Sequence, residues 1–399
     1  MNSRNRRLFT ASISIGPISI GYFVEKNSVI RLGVIGPGRA GRGNTLALVS
    51  SGQVELVAVA DTNEQSLDYL ENALRERVEG YKENSFNCYT GEYEFIEMLN
   101  QADLDLVGVF SPHSLHDIHA RFALRANCHV LVEKPMANLV GDAIALTKLA
   151  IGRQRHLAIG YQRHFQNTYL ATKQALVDGL IGEVQQFDVY LAQRWAGRTW
   201  RGDPRFSGGG QPNDSGSHLQ DIILWVTELL PQTAYGTTSF EFEDDEGNLI
   251  QKAVEINSST TVTMENGAIG TINIVGNTKL GFEEWIRLKG ETGILEIKNG
   301  VRFIPNSGPT RELSPTRPDN YPKNKIDQNI GLITGSYTTN YVSSINGVRT
   351  SWMTNAIIKA GKGSSVQHPV DCDRLLEGEG YTRNEVHHLI QECSRRQMF

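Results

Sequence analysis

Lys134, in the run Glu133-Lys134-Pro135, and the later pair Asp214 and His218 are the residues of this chain best suited to chemistry. A cation, a carboxylate and an imidazole are what a dehydrogenase needs beside a nicotinamide ring, where one group takes the hydroxyl proton as hydride leaves the adjoining carbon. His218 suits proton transfer near neutral pH. Asp214 and His218 are four residues apart, so they would share a helix face, and Asp214 could also cap that helix. The alternative is a surface lysine and a capped helix with an incidental histidine.

The run Gly-Pro-Gly-Arg-Ala-Gly at residues 36–41 offers a place for the dinucleotide that such chemistry requires. It lies between a predicted strand and a predicted helix, where glycines let backbone N–H groups approach a pyrophosphate at the helix N-terminus. Asp61 ends the next predicted strand, where a carboxylate would bind both ribose hydroxyls and repel a 2′-phosphate, so NAD is favoured over NADP. The alternative is a glycine turn with an N-capping aspartate. The residues predicted to bind the cofactor here are Gly36, Gly38, Arg39, Ala40, Gly41 and Asp61.

The elements that must position these residues change character along the chain. From residue 30 to about 160, strand patterns alternate with helix patterns, which predicts a parallel, doubly wound sheet of the α/β class. Lys134 would follow one of these strands at its carboxyl end, where such sheets bind ligands. After about residue 185, closely spaced strands with turn signals such as Asn266-Gly267 predict a mainly antiparallel sheet in an α+β domain. Residues 305–335 are rich in Pro, Asn, Gly and Thr and are predicted to form a long surface loop.

Length and composition restrict the class of protein. A chain of 399 residues usually forms two domains, and a net charge of −5 gives no sign of a nucleic-acid surface. Four widely spaced cysteines are typical of free thiols in a reducing compartment, and no apolar run is long enough to span a membrane. A cytoplasmic protein is therefore expected. The alternative is export, because Arg6-Arg7 and the apolar stretch that follows form a weak twin-arginine-like signal.

Three further groups of residues are candidates for binding. His113, His116 and His119 recur every three residues, but no cysteine or carboxylate cluster accompanies them, and no metal site is predicted. Arg163 follows a strand end and could bind substrate or form an interdomain salt bridge. Trp195 and Trp200 lie among arginines, a mixture that suits stacking on a sugar ring but also suits a subunit interface.

The glycine run, Pro112-x-x-x-His116, Glu-Lys-Pro and a later D-x-G-x-H-x-x-D stretch occur in this order, and the chain thereby resembles the Gfo/Idh/MocA oxidoreductase family over roughly residues 30–300. The resemblance implies a Rossmann NAD-binding domain over residues 30–155, preceded by an arm at 1–29. It implies a substrate-binding domain over 156–399 whose large open sheet mediates oligomerisation. It makes Lys134, Asp214 and His218 the catalytic trio, with His218 as the acid/base. The further residues that it assigns to the cofactor site are Ser111, Pro112, His116, Glu133 and Lys134.

The resulting prediction is an NAD-dependent oxidoreductase that transfers hydride between nicotinamide and a hydroxyl carbon of a sugar, polyol or inositol-like substrate. Arg163, Trp195 and Trp200 would contact that substrate, and the protein would be a homodimer or homotetramer. One alternative is a hydrolase or isomerase with tightly bound NAD that oxidises its substrate transiently. Glycosidases of related fold tend to lack the lysine of Glu-Lys-Pro, so Lys134 counts against this alternative. The other is a non-enzymatic NAD(H)-binding sensor, which would have little reason to keep the trio.

Overall fold

The computed structural model of the protein describes residues 29–279, 281–314, 317–362 and 369–395. The twin-arginine-like signal, and all of the N-terminal arm except Val29, lie outside these residues. No helix within the described ranges is long and apolar enough to cross a lipid bilayer.

The first part of the fold is a six-stranded parallel sheet, as predicted, with the order β3-β2-β1-β4-β5-β6. Its strands are β1 (Ile30–Ile35), β2 (Val54–Asp61), β3 (Asn87–Thr90), β4 (Leu106–Val109), β5 (His129–Val132) and β6 (Leu157–Ile159). Its helices are α1 (Arg39–Val49), α2 (Glu64–Arg77), α3 (Glu94–Gln101), α4 (His116–Arg125) and α5 (Val140–Arg153). Strands β4 and β5 are buried at every residue because helices cover both faces of a parallel sheet. The pairing of β1 with β4 marks the point where the strand order reverses, which is the ligand crevice of such sheets.

The first sheet continues beyond the boundary at residue 155 that the sequence suggested. Strand β6 begins at Leu157 and pairs in parallel with β5, so it belongs to the first sheet. Strand β3 and helix α3 were not predicted, whereas β6 was predicted as a short strand. Strand β3 has no buried residue to give it a hydrophobic pattern, which explains the omission.

The second part of the fold is a nine-stranded sheet with the order β16-β15-β14-β13-β7-β12-β11-β8-β17. Only β7 and β12 pair in parallel, so the predicted mainly antiparallel sheet is confirmed. Its strands, with the separate β9–β10 hairpin, are β7 (Val184–Ala192), β8 (Pro231–Ser239), β9 (Glu241–Glu243), β10 (Leu249–Gln251), β11 (Asn257–Met264), β12 (Ile269–Val275), β13 (Glu283–Gly290), β14 (Gly293–Ile297), β15 (Val301–Pro305), β16 (Arg311–Leu313) and β17 (Val370–Asp371).

Helices cover one face of this second sheet and leave the other open. The helices of this part of the chain are α6 (Asn167–Val177), α7 (Pro204–Ser207), α8 (Gln211–Asp214), α9 (Gly216–Thr227), α10 (Lys325–Ile333), α11 (Ser344–Gly361), α12 (Cys372–Gly378) and α13 (Arg383–Arg395). Buried and more exposed residues alternate along β11 and β12, as expected for strands with one covered face. Helices α6, α9 and α11 contact the covered side.

Helix α11 joins the two parts of the molecule. It packs against α5 of the first part and against α9 and β8 of the second. Its side chains also bond to the turn that follows Glu-Lys-Pro: the Ser351 hydroxyl donates to the Ala137 carbonyl at 2.8 Å, and Asn355 accepts from the Val140 N–H at 3.0 Å. The backbone just beyond Lys134 is therefore fixed by a helix more than two hundred residues later.

The prediction of a long surface loop over residues 305–335 was wrong in its second half. Helix α10 begins at Lys325 and buries Ile330, Leu332 and Ile333. The Asn324 side chain caps this helix by accepting from the backbone N–H groups of residues 326 and 327. This segment also brings a cation to the candidate site.

Candidate active site

The glycine loop between β1 and α1 leaves room for an anionic group. Gly36 has φ +83°, and a Cβ there would lie 2.7 Å from the Ser111 nitrogen, so this position requires glycine. Gly41 packs directly against the Gly36 carbonyl. In contrast, a Cβ built on Gly38 meets nothing within 4 Å, and no side chain caps α1 at this end. The free N–H groups and open space at the N-terminus of α1 fit a pyrophosphate.

Asp61 ends β2 at the edge of the same crevice, as predicted. Its Oδ1 accepts from the Asn63 N–H at 2.8 Å, and burial raises the pKa of its carboxyl group. Arg39 and Ala40, in the first turn of α1, are exposed. These positions fit the ribose and pyrophosphate of NAD, whose nicotinamide would supply the acceptor for a hydride.

Ser111, Pro112 and His116 form a turn after β4 that is bound to the Glu-Lys-Pro segment. The two ring nitrogens of His116 lie 2.7 Å from the carbonyl oxygens of Ser111 and Pro135. Burial lowers the pKa of His116, although both carbonyls oppose the shift. With 1% of its surface exposed, His116 holds the two turns together instead of presenting a nitrogen to a ligand.

Lys134 and Asp214 form a buried ion pair at the carboxyl end of β5. The Lys134 ammonium donates to Asp214 Oδ1 and to the Asp214 carbonyl, each at 2.7 Å. The two side chains are only 13% and 9% exposed. An ammonium group has three N–H donors, so one N–H of Lys134 is not used by these two contacts.

The Asp214 carboxylate accepts hydrogen bonds from three protein side chains. Besides Lys134, it accepts at Oδ2 from the Trp195 indole N–H at 2.9 Å and from Arg201 Nε at 3.0 Å, and His113 Nε2 lies 3.7 Å from Oδ1. Burial alone would raise the pKa of Asp214, but attraction to Lys134 and Arg201 outweighs burial and holds that pKa well below its usual range. Asp214 therefore orders the cations around it.

Asp214 and His218 lie on two short helices, α8 and α9, that meet at Ser215. The expectation that Asp214 caps the helix was wrong: Ser215 occupies the capping position, and no side chain caps α9. The Asp214 carbonyl instead accepts from the Ser217 hydroxyl at 2.9 Å. Asp221, one turn further on, bonds to His164 at 2.7 Å and to none of the trio.

His218 is a neutral base at neutral pH. Burial, and next the positive charges of Arg163 and Lys134, lower the pKa of its imidazole well below the ordinary value. Its Nδ1 is buried and has no hydrogen-bond partner among the described residues, and its ring meets the edge of the Tyr161 ring at 6.4 Å. A neutral imidazole with an unfilled hydrogen-bonding position is suited to accept a proton.

Arg163 forms a salt bridge, as one of its two interpretations predicted. It donates to both carboxylate oxygens of Glu284, through Nε at 3.3 Å and through Nη2. Its Nη1 has no partner among the described residues, although Arg163 is only 8% exposed. The contact between Arg163 and substrate stays a prediction, and Nη1 is the nitrogen that would make it.

The predicted substrate residues Trp195 and Trp200 belong to a loop beside Asp214. Trp195 is buried with its indole N–H on Asp214, whereas Trp200 is partly exposed and meets the His113 ring at 4.7 Å. The Arg201 guanidinium lies over Trp200, 4.3 Å from the ring centroid. Thr199, at the tip, has φ +59°. Such a conformation costs a β-branched residue about 1–3 kcal/mol and is found mostly at functional sites.

Glu133, next to Lys134, lies in a second ion pair. The Lys325 ammonium donates to Glu133 Oε1 at 2.5 Å, and the Asn44 amide donates to the same oxygen at 3.0 Å. Burial would raise the pKa of Glu133, but Lys325 and then Lys134 lower it to about 2. A Cβ on Gly160 would lie 2.7 Å from Glu133 Oε2, so the carboxylate packs against the backbone of a residue that must lack a side chain.

Sequence reasoning gave no role to Lys325 or Asn44, and it considered Arg201 only as one of the arginines around Trp195 and Trp200. Lys325 opens α10, and the signal that could have found that helix is Asn324 as an N-cap followed by apolar residues at helical spacing. Nothing in the sequence indicated that Lys325 meets Glu133. The roles assigned to Lys134, Asp214 and His218 in catalysis remain predictions, although the structure brings Lys134 and Asp214 into contact.

The family of the chain follows from comparison with known families. A family described as oxidoreductase family, NAD-binding Rossmann fold, matches residues 30–161, and the GFO/IDH/MocA C-terminal domain matches residues 169–296. These matches cover well over half of the chain, which therefore belongs to the Gfo/Idh/MocA oxidoreductase family. Its first part is an NAD-binding Rossmann domain, which confirms the predicted cofactor.

Individual relatives are distant. The chain is 25% identical over 291 residues to 1-carboxy-3-chloro-3,4-dihydroxycyclohexa-1,5-diene dehydrogenase of Comamonas testosteroni, covering 72% of this chain and 65% of that protein. It is 27% identical over 240 residues to glucose-6-phosphate 3-dehydrogenase of Bacillus subtilis, covering 57% of this chain and 63% of that protein. The WlbA dehydrogenase of Bordetella pertussis, solved with NADH and UDP-GlcNAcA, has the same fold with a TM-score of 0.69 at 21% identity, covering 86% of this chain and 98% of that one.

Proposed function

We propose that this protein is an NAD-dependent dehydrogenase that oxidises a hydroxyl carbon of a sugar, polyol or inositol-like ring. One observation carries the proposal: Lys134 keeps a free N–H donor at the carboxyl edge of the NAD-binding sheet, near the neutral base His218. The dehydrogenase relatives named above, whose names refer to hydroxyl-bearing rings, support the same class of reaction.

Lys134, His218 and Asp214 have different roles in the proposed reaction. Lys134 donates its remaining N–H to the reacting hydroxyl oxygen and stabilises negative charge as the proton leaves. His218 accepts that proton. Asp214, whose carboxylate accepts from Lys134, Trp195 and Arg201, holds Lys134 and Arg201 in place. NAD, when bound, accepts the hydride.

The protonation of His218 suits one direction of the proposed reaction. Because burial lowers the pKa of its imidazole, His218 at neutral pH is prepared to accept the proton of an alcohol. The equilibrium between alcohol and ketone does not depend on this residue. The preference for NAD over NADP is supported by Asp61, whose carboxylate would face a 2′-phosphate.

The test is absorbance at 340 nm with sugars, inositols and sugar acids, using NAD and NADP in parallel. We expect NADH to form with one substrate class, and expect a His218→Asn variant that still binds NAD to lose most turnover. If product forms without net NADH and the nucleotide stays bound to the protein, the dehydrogenase proposal is wrong. The protein would then be the hydrolase or isomerase that oxidises its substrate transiently. Binding of NAD with no turnover of any substrate would favour the sensor.

We also propose that the chain forms a homodimer or homotetramer through the open face of the nine-stranded sheet. On this face Tyr235 and Ile269 are 48% and 52% exposed, and Tyr190 stacks on Trp285 at 5.4 Å. Such side chains on a broad sheet suit a self-complementary interface. Light scattering after chromatography should give a dimer or tetramer, and Ile269→Lys should shift the mass towards the monomer. A monomeric parent protein would exclude the proposal.

A cytoplasmic location is proposed as well. Cys88, Cys128 and Cys372 are free thiols, which suits a reducing compartment. Fractionation of the source cells would test this, and recovery from an exported fraction would contradict it.

A further inference from the structure

The hydrogen-bonding groups left free around Lys134 are mainly donors, and this restricts the substrate. The three carboxylates that form salt bridges with the cations of the site are each engaged by protein groups. A fourth carboxylate, Asp221, bonds to His164 through Oδ2, and its Oδ1 has no partner among the described residues. Asp214 receives Lys134, Trp195 and Arg201. Glu133 receives Lys325 and Asn44, and Glu284 receives Arg163 and the Tyr169 hydroxyl.

The N–H donors of the surrounding lysine and arginine side chains, in contrast, are only partly engaged by protein groups. Lys134 keeps one N–H. Arg201 uses only Nε, at 3.0 Å from Asp214, so the N–H groups of Nη1 and Nη2 have no hydrogen-bond partner among the described residues. Arg163 Nη1 is buried and equally unpartnered. A buried donor without a partner costs about 1–3 kcal/mol, which a ligand oxygen would recover.

The charges agree with this count of donors. In their salt bridges, four cations of the site share three carboxylates, because Asp214 pairs with both Lys134 and Arg201. Burial keeps the neighbouring histidines His113 and His218 neutral by lowering their pKa values. A neutral sugar offers hydroxyl groups that need acceptors as well as donors, whereas a carboxylate or phosphate only accepts.

We propose that the substrate carries an anionic group, a carboxylate or a phosphate, and that Arg201 binds it. This inference rests on the proposed function and names the substrate class for the same site. Arg201 is placed for the task because Asp214 holds its Nε, Trp200 supports its guanidinium plane at 4.3 Å, and its side chain is 39% exposed. Its outer edge thus remains accessible for a bidentate contact with two anionic oxygens.

The experiment compares ligands that differ only in charge. Binding to NAD-loaded protein is measured by calorimetry at constant ionic strength, with D-glucose, D-glucuronate and D-glucose 6-phosphate, and with the corresponding galactose and mannose series. We expect at least one uronate or sugar phosphate to bind at least tenfold more tightly than its neutral counterpart. Tighter binding of the uronates identifies a carboxylate, and tighter binding of the sugar phosphates identifies a phosphate.

Arg198→Gln is the matched control for Arg201→Gln. Both arginines lie on the same loop, but Arg198 is exposed and its guanidinium makes no hydrogen bond or ion pair among the described residues. Arg201→Gln should reduce the preference for the anion at least tenfold, and Arg198→Gln should keep it. Equal binding of neutral and anionic ligands, equal losses in both variants, or no binding in any series would overturn the inference.

The outcomes also separate this inference from the proposed function. Efficient NADH formation from a neutral sugar, with no preference for its acid or phosphate, would reject the anionic substrate and leave the dehydrogenase intact. Tight, Arg201-dependent binding of an anion that is never oxidised would support the anionic ligand and reject the dehydrogenase.

Discussion

Glu133 and Lys134 are neighbours in the sequence, and each forms a buried ion pair with a residue far along the chain, but the two pairs differ in what they leave free. The Glu133 carboxylate is enclosed by Lys325, Asn44 and the backbone of Lys134, and its charge is balanced. The Lys134–Asp214 pair keeps a donor on Lys134 and is joined by the extra cation Arg201.

The difference separates a structural ion pair from a reactive one. A saturated, balanced pair can only hold elements together, and Lys325 does so by joining α10 to the Glu-Lys-Pro turn and, through Asn44, to α1. An unsaturated pair with excess charge retains binding capacity. Burial is similar in both pairs, so it does not distinguish them.

The largest expected effect comes from removing the reactive cation. Lys134→Met should lower turnover by about 10²- to 10⁴-fold, the usual range for losing a group that assists proton transfer. Turnover and NAD affinity would be measured on the same folded sample. Lys325→Met is the control, and its smaller loss of turnover is expected because, among the described residues, the Lys325 ammonium bonds to Glu133 and to none of the trio. Equal losses in the two variants would remove the distinction between the pairs.

The next effect concerns stability. Lys325→Met should lower the free energy of unfolding by about 3–5 kcal/mol, because it leaves the buried Glu133 charge without its main partner. Urea unfolding at neutral pH measures this loss. The double variant Glu133→Gln with Lys325→Met should lose less than Lys325→Met alone, since no unpaired charge remains.

The same loss should depend on pH. The pKa of Glu133 is about 2 in the folded protein, against 4.5 as its ordinary value. A lowered carboxyl pKa stabilises the fold above pH 4.5, and this stabilisation is lost as the pH falls towards 2. The difference between the parent protein and Lys325→Met should therefore shrink over that interval. A difference independent of pH would show that packing, not charge, causes the loss.

The smallest effect is a shift in the pH profile. After burial, the Arg163 charge is the largest cause that lowers the pKa of His218. Arg163→Gln should therefore raise that pKa, so the acid limb of kcat/KM for oxidation moves to higher pH. The profile of Arg198→Gln should match that of the parent protein. An unchanged acid limb in Arg163→Gln would show that His218 does not set the profile.

The sequence predicted the parts of the site that depend on local patterns. Gly36, Gly41 and Asp61 lie at fixed places in a strand–turn–helix unit, and Lys134 follows a buried strand, so periodicity and turn chemistry located them. Lys325 could not be paired with Glu133 because 192 residues separate them, and no local rule relates the two.

Helix α11 was not predicted from the sequence, and the reason differs from that for the Lys325–Glu133 pair. It is buried on nearly all sides and carries Thr350, Ser351 and Thr354 among its buried residues, so its apolar residues do not form one stripe. Its polar groups are satisfied by the Asn346 carbonyl, the Ala137 carbonyl and Gln220. Such a helix becomes recognisable only when both surfaces that enclose it are known.

The position of α11 also sets the order in which the protein can mature during synthesis. The six strands of the first sheet are complete once Ile159 has emerged from the ribosome, but the face of α5 that receives α11 stays uncovered until residue 361 follows. For the intervening two hundred residues, α5 lacks one of the helices that pack against it. We therefore expect the nascent first domain to expose apolar surface, and residues 30–161 expressed alone to aggregate.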